Sequence, residues 1–199
     1  MYSKFMPISF DLKKEKEAHN CVNYFETGLW DARALVSSKQ ALSAGFEKVF
    51  CIELREKWIT IGNDVFKEEI ENNKYHLYHD DSVHMTKYLE NNPDFDKKTM
   101  FFLDAHVDNQ NIENYTKICP VIDELLAIKS LTRKDHVIMV DDLRLLKQPY
   151  PWGETGYGAL NFMEAIMQII KEINPEYQFK TLPGHIEDDV LCAYIQLNN

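Results

Sequence analysis

Acidic residues recur at the downstream ends of short apolar runs in this sequence. Glu26 follows Cys21-Val22-Asn23-Tyr24-Phe25, Glu53 follows Val49-Phe50-Cys51-Ile52, and Asp104 follows Met100-Phe101-Phe102-Leu103. The pair Asp141-Asp142 follows Val137-Ile138-Met139-Val140, and Asp80-Asp81-Ser82 follows the weaker run His76 to His79. Carboxylates accept hydrogen bonds from amines and hydroxyls, ligate hard cations and carry protons. Capping of the next helix accounts for any one of these acids. It accounts poorly for a whole row, least of all for a doublet placed directly after an apolar run, so the row reads as a ligand site. His106, two residues beyond Asp104, adds a side chain that titrates near neutral pH.

The elements that must carry these residues follow from the same pattern. Apolar runs alternate with stretches of helical periodicity along nearly the whole chain, which predicts a parallel sheet with helices on both faces. The five runs above are the first five strands. Asp31 is placed to cap a helix running to Ala44 and ended by Gly45. A second helix carries Trp58, Val65, Phe66 and Ile70, and a third starts at Pro120 and runs through Leu125, Leu126 and Ile128. A last helix spans about Leu160 to Ile173, and the strands Tyr177 to Leu182 and Val190 to Ile195 close the sheet as an antiparallel pair. Ligands of open parallel sheets bind outside the carboxyl ends of the strands, and that is the edge on which the acids gather.

Composition narrows the class. A chain of 199 residues with 45% hydrophobic and 27% charged content suits one globular domain, here residues 1–199 with a core over about 20–196. No internal repeat or linker interrupts it. The formal net charge of −10, with no basic stripe, argues against a nucleic-acid partner. No run is apolar enough to span a bilayer, and the first residues carry no secretory apolar stretch. Cys21, Cys51, Cys119 and Cys192 are scattered without a C-x-x-C pair, and read as buried free thiols of a cytoplasmic protein.

The first turn, Glu26-Thr27-Gly28-Leu29-Trp30-Asp31-Ala32, has one glycine and two acids. It lacks the G-x-G-x-x-G that seats a pyrophosphate, which disfavours a nicotinamide dehydrogenase. Carboxylates there suit the amino group and sulfonium of S-adenosylmethionine. Glu53 is placed to accept from both ribose hydroxyls, and Asp81 and Ser82 to meet the adenine edge. This ordered set resembles the cofactor motifs of class I S-adenosylmethionine-dependent methyltransferases, over about residues 20–196. The resemblance implies a Rossmann-like methyltransferase fold: a seven-stranded, mostly parallel sheet with a C-terminal antiparallel strand. It implies a cofactor site at Glu26, Thr27, Gly28, Glu53, Asp81, Ser82 and Asp104. A glycine that many of those enzymes carry later in the first turn is Ala32 here.

Phe102-Leu103-Asp104-Ala105-His106 and Val140-Asp141-Asp142 further resemble the metal-dependent O-methyltransferases that act on sugar hydroxyls, of the macrocin and novobiocin-pathway type. That resemblance implies a divalent ion, Mg²⁺ or Mn²⁺, on Asp104, Asp141 and Asp142, a role for Asp104 in catalysis, and a sugar or glycan hydroxyl as acceptor. Three hard carboxylates without a thiolate or imidazole cluster agree with such an ion. Where those enzymes have D-x-D, this chain has D-x-H. His106 is then a general base, a metal ligand, or a histidine set by packing. Tyr115, Tyr150, Trp152 and Tyr157 lie in the two long loops beside the same strand ends, as a stacking surface for sugar rings or as loop anchors. Two other functions fit the same scaffold: a hydroxylase-like metal enzyme and a non-catalytic binding module. The acceptor and the oligomeric state are not written in the sequence.

Overall fold

The computed structural model describes residues 8–105, 117, 119–147 and 162–196. Strands β1 (Asn23–Thr27), β2 (Val49–Glu53), β4 (Thr99–Leu103) and β5 (Val137–Val140) are buried on both faces, which is why they read as apolar runs rather than alternating ones. Strand β3 (Tyr75–His79) is partly exposed at the sheet edge. With β6 (Gln178–Leu182) and β7 (Val190–Tyr194) the sheet has seven strands in the order β3-β2-β1-β4-β5-β7-β6. Pairings from β3 through β5 are parallel, and β7 runs antiparallel to both β5 and β6. This is the expected mostly parallel sheet with an antiparallel C-terminal strand. Chain order reverses between β1 and β4, which opens a crevice above their carboxyl ends.

The two-residue period of a strand sends alternate side chains into two cores. Phe25, Phe50, Phe101 and Ile138 enter one, against helices α6 (Val121–Ser130) and α8 (Phe162–Ile173). Helix α8 buries Phe162, Ile166, Ile170 and Ile173, one stripe at helical spacing. Tyr24, Val49, Cys51, Met100, Phe102 and Met139 enter the other core, on the face that carries α1 (Leu12–His19) and α2 (Ser37–Ser43). Helices therefore cover both faces. All four cysteines are buried free thiols. Among the described residues no helix is long and apolar enough to cross a membrane.

Several boundaries differ from the sequence reading. The first strand begins and ends two residues later, so Glu26 and Thr27 belong to β1 itself. Asp31 caps no helix. It accepts instead from the Arg33 amide (3.1 Å) and guanidinium (2.8 and 2.6 Å), and residues 28–36 form a folded loop before α2. Leu29, Ala32 and Val36 are buried from that loop, and their spacing imitates a helix. The helix expected through Ile70 is divided at Phe66 into α3 (Glu56–Val65) and α4 (Lys67–Glu71). Helix α1 and two short helices, α5 (Thr86–Leu89) and α7 (Leu143–Leu146), add to the expected set.

Candidate functional site

The first turn is built around a glycine and a carboxylate. Gly28 has φ +85°, and a β-carbon there would lie 2.8 Å from the Asp104 carbonyl oxygen. Only glycine lets the turn press so closely on the end of β4. Glu53, buried at the end of β2, receives three backbone amides: Leu29 N (2.8 Å) and Trp30 N (3.0 Å) on Oε2, and Arg55 N (2.7 Å) on Oε1. Trp30 has φ 59°, a left-handed conformation costly for a bulky residue, and its bond to Glu53 holds it there. The positive-φ residues of the turn are thus Gly28 and Trp30, while Ala32 packs into the core. These amides fill three of the about four acceptor positions of Glu53.

Glu26 lies two residues before Gly28 and is wholly buried. Its two carboxyl oxygens accept from Ser37 Oγ and Ser38 Oγ, and Ser38 Oγ lies 2.7 Å from the Tyr75 hydroxyl. Burial pushes the Glu26 carboxyl up to about 7, against the lowering pull of the two serines. It therefore meets the turn from within the protein. Thr27 is also buried, and both its carbonyl oxygen and its Oγ1 accept from the Asp104 amide at 3.2 Å.

That bond and the one from Asp141 N to Leu103 O (3.1 Å) continue the sheet ladder and set the ends of β1, β4 and β5 level. That places Asp104 and the pair Asp141-Asp142 at neighbouring strand ends. Burial, then the charges of Asp141, Asp142 and Glu26, raise Asp104 well above the usual carboxylate range, and Arg144 opposes them. Asp142 has φ 61°, and its amide donates to Asp141 Oδ1 at 2.7 Å. Another acid, Asp189, joins the pair: one oxygen each of Asp141, Asp142 and Asp189 lies within 4.8 Å of the others, a trio that does not include Asp104. The Arg144 guanidinium bridges Asp142 and Asp189, and the Arg144 amide donates to Asp189 Oδ1 at 3.0 Å. Gly184 leaves space for this cluster, since a β-carbon there would lie 3.1 Å from Asp141 Oδ1. Asp189 escaped the sequence reading. The acidic run Glu187-Asp188-Asp189 before β7 was its only signal, and the β5–β7 pairing brings it to the site.

On the other flank, Asp81 caps the single turn Ser82–His84 through Val83 N (3.1 Å), and Ser82 is buried. Asp80 meets the Asp81 amide (2.9 Å), His84 Nδ1 (3.0 Å), the Tyr88 hydroxyl (2.7 Å) and the Lys87 ammonium. His106, Tyr115, Tyr150, Trp152 and Tyr157 lie outside the described residues.

No protein-family model matches the chain, and no curated protein matches its sequence. Solved structures do match its fold. An O-methyltransferase from Streptomyces achromogenes involved in tomaymycin synthesis, solved with S-adenosylmethionine, superposes with a TM-score of 0.61 at 12% identity, over 94% of this chain and 78% of that one. An O-methyltransferase from Bacillus cereus in complex with S-adenosylhomocysteine gives 0.57 at 16% identity, over 92% and 78%. A Podospora anserina methyltransferase bound to the same product gives 0.55 at 15%, over 93% and 76%. The chain therefore has the Rossmann-like fold of S-adenosylmethionine-dependent methyltransferases, with its acidic row along the carboxyl edge of the sheet.

Proposed function

We propose that this protein is an S-adenosylmethionine-dependent O-methyltransferase that uses a divalent ion, Mg²⁺ or Mn²⁺, and acts on a hydroxyl of a sugar or glycan. The observation that carries the reading is the row of carboxylates Glu53, Asp104 and Asp141-Asp142 at the strand ends, with Glu26 two residues beneath it, on one edge of a sheet whose fold is shared with proteins solved with that cofactor or its product. In this reading Gly28 and Glu53 shape the turn that receives the cofactor, with Glu53 accepting one ribose hydroxyl and Asp81 and Ser82 lying by the adenine. Glu26 and Thr27 brace the turn from beneath it. The buried free thiols suit a reducing cytoplasm, and the acidic chain suits a small-molecule or glycan partner rather than a nucleic acid.

A divalent ion on Asp104, Asp141 and Asp142 is supported by the hard oxygens of Asp141, Asp142 and Asp189 gathered within 4.8 Å of one another and by the charges of Asp141 and Asp142 acting, after burial, on Asp104. Bound by them, such an ion would supply Lewis-acid polarisation of the acceptor hydroxyl. The chain supplies the rest. Arg144 neutralises Asp142 and fixes Asp189 beside it. His106, two residues past Asp104, is assigned the acceptor proton, since imidazole is a good base near neutral pH. The methyl donor is already activated as a sulfonium, so the protein's main contribution is alignment of the acceptor oxygen with the methyl carbon. The test is transfer of a labelled methyl group to a panel of mono- and oligosaccharides, with chelator and then with added Mg²⁺ or Mn²⁺. Transfer that stops in chelator and returns with metal is expected. Full transfer in chelator would remove the ion from the reading, and cofactor binding without transfer to any hydroxyl would favour a non-catalytic binding module.

A further inference from the structure

Helix α1 turns two polar side chains toward the sheet. Its buried residues are Leu12, Glu15 and His19, one stripe at helical spacing on which only Leu12 is apolar. Against them on β7 lies Cys192, a fully buried free thiol. Among the described residues, one ligand atom each of Glu15, His19 and Cys192 lies within 4.8 Å of the others. His19 is 6% exposed, and its Nε2 atom lies 3.3 Å from Glu15 Oε2 without the geometry of a hydrogen bond. A buried ring nitrogen left unsatisfied in this way is rare in a native interior. Lys180, paired with Cys192 across the β6–β7 ladder, reaches Glu15 Oε2 at 2.6 Å from a side chain that is 33% exposed. The group lies on the face of the sheet that α1 covers. Cys192 is three residues along β7 from Asp189, about 10 Å at the rise of a strand, so the group is separate from the carboxylates at the strand ends.

We infer that Glu15, His19 and Cys192 form a site for a thiophilic divalent cation of the Zn²⁺ class, which pins α1 to β7. The residue types match, because thiolate and imidazole favour such ions over Mg²⁺ and Mn²⁺, and carboxylates ligate Zn²⁺ as well. The spacing matches too, since Glu15 and His19 stand one turn apart on one face of the helix. Ligand atoms of a tetrahedral ion bonded at about 2.0–2.3 Å stand about 3.5 Å apart. The His19–Glu15 pair, at 3.3 Å, already has that separation, and small side-chain rotations bring in the sulfur. Glu15 binds as carboxylate, His19 as neutral imidazole through Nε2, and Cys192 as thiolate, its proton passing to solvent on binding. The fourth position is left to water. Lys180 otherwise supplies the positive charge at Glu15; it gives way to the ion, and its route to solvent is the route of entry. The inference does not depend on the methyl-transfer reading.

The experiment titrates the reduced chain with Co²⁺, a spectroscopic stand-in for Zn²⁺, and follows the near-ultraviolet charge-transfer band of a cobalt-bound thiolate. Excess Mg²⁺ is present throughout, to fill carboxylate sites without competing for sulfur. The band should saturate at one Co²⁺ per chain and vanish when Zn²⁺ is added. Cys192→Ser should lose it. His19→Gln should weaken Co²⁺ by at least the factor of about 10–100 that loss of an outer-shell partner costs a metal site. Asp142→Asn should leave the band unchanged, which separates this site from a metal at the strand ends. Absence of the band in the wild type overturns the inference and leaves Glu15, His19 and Lys180 as a docking network alone. An undiminished band in Cys192→Ser, an unaltered affinity in His19→Gln or a band lost in Asp142→Asn overturns it as well. Should Cys192→Ser lose its native far-UV spectrum, His19→Gln decides the matter.

Discussion

Removal of the Glu53 carboxylate should cost stability by an amount that the geometry sets. Three amides depend on it, those of Leu29, Trp30 and Arg55. Leu29 is 2% exposed, so in Glu53→Ala its N–H is stranded away from water, at about 1–3 kcal/mol. Trp30 and Arg55 are less enclosed, and water replaces much of what they lose, leaving about 0.5–1 kcal/mol each. The left-handed Trp30 also loses the bond that holds it. The expected loss in Glu53→Ala is therefore about 2–5 kcal/mol. Glu53→Gln should lose about half as much, because its single carbonyl oxygen can still serve Leu29 and Trp30 while its NH₂ faces Arg55. Urea unfolding followed by circular dichroism measures both. Trp30 and Trp58, with ring centroids 6.3 Å apart, give a fluorescence signal local to the turn. A loss below about 0.5 kcal/mol in Glu53→Ala, the level of an ordinary surface substitution, would refute the view that this carboxylate organises the turn.

Gly28→Ala places a methyl group 2.8 Å from the Asp104 carbonyl oxygen at φ +85°, and should lower stability by about 1–3 kcal/mol in thermal unfolding; an unchanged melting temperature would contradict the close approach. Glu26 is raised from 4.5 to about 7, so between those pH values the folded chain keeps a proton that the unfolded chain releases, and stability falls as pH rises through the window. Relative to Glu26→Gln, which cannot ionise, the wild type should lose about 3 kcal/mol across it; a pH-independent difference would show that Glu26 ionises normally. Asp142→Asn should weaken Mn²⁺ binding, measured by calorimetry, while leaving the far-UV spectrum unchanged; undiminished binding would take Asp142 out of the ligand set.

The strands were legible because four of them are buried on both faces and leave continuous apolar runs with acids at their ends. The end of β1 was not, since Glu26 is as buried as Phe25 and hydropathy cannot tell a carboxylate held by two serines from one in solvent. Leu29, Ala32 and Val36 misled for the opposite reason: a loop that plugs the core at intervals of three and four residues has the period of a helix. Helix α1, Leu-Lys-Lys-Glu-Lys-Glu-Ala-His, shows almost no apolar face. Glu15 lies 3.3 Å from His19 Nε2 one turn on, and accepts from Lys180 at 2.6 Å, a pairing that only the tertiary fold makes. Asp189 belongs to the same class. It is an ordinary acid in sequence, and joins Asp141 and Asp142 only when β7 is laid beside β5.

The most direct test of cofactor binding in the crevice is hydrogen exchange with and without S-adenosylhomocysteine. Ligand in excess should slow exchange of the amides from Gly28 to Trp30, of Asp81 and Ser82, and of Asp104, with one ligand bound per chain. Absence of binding, or protection confined to surfaces away from the carboxyl ends of β1, β2 and β4, would contradict it.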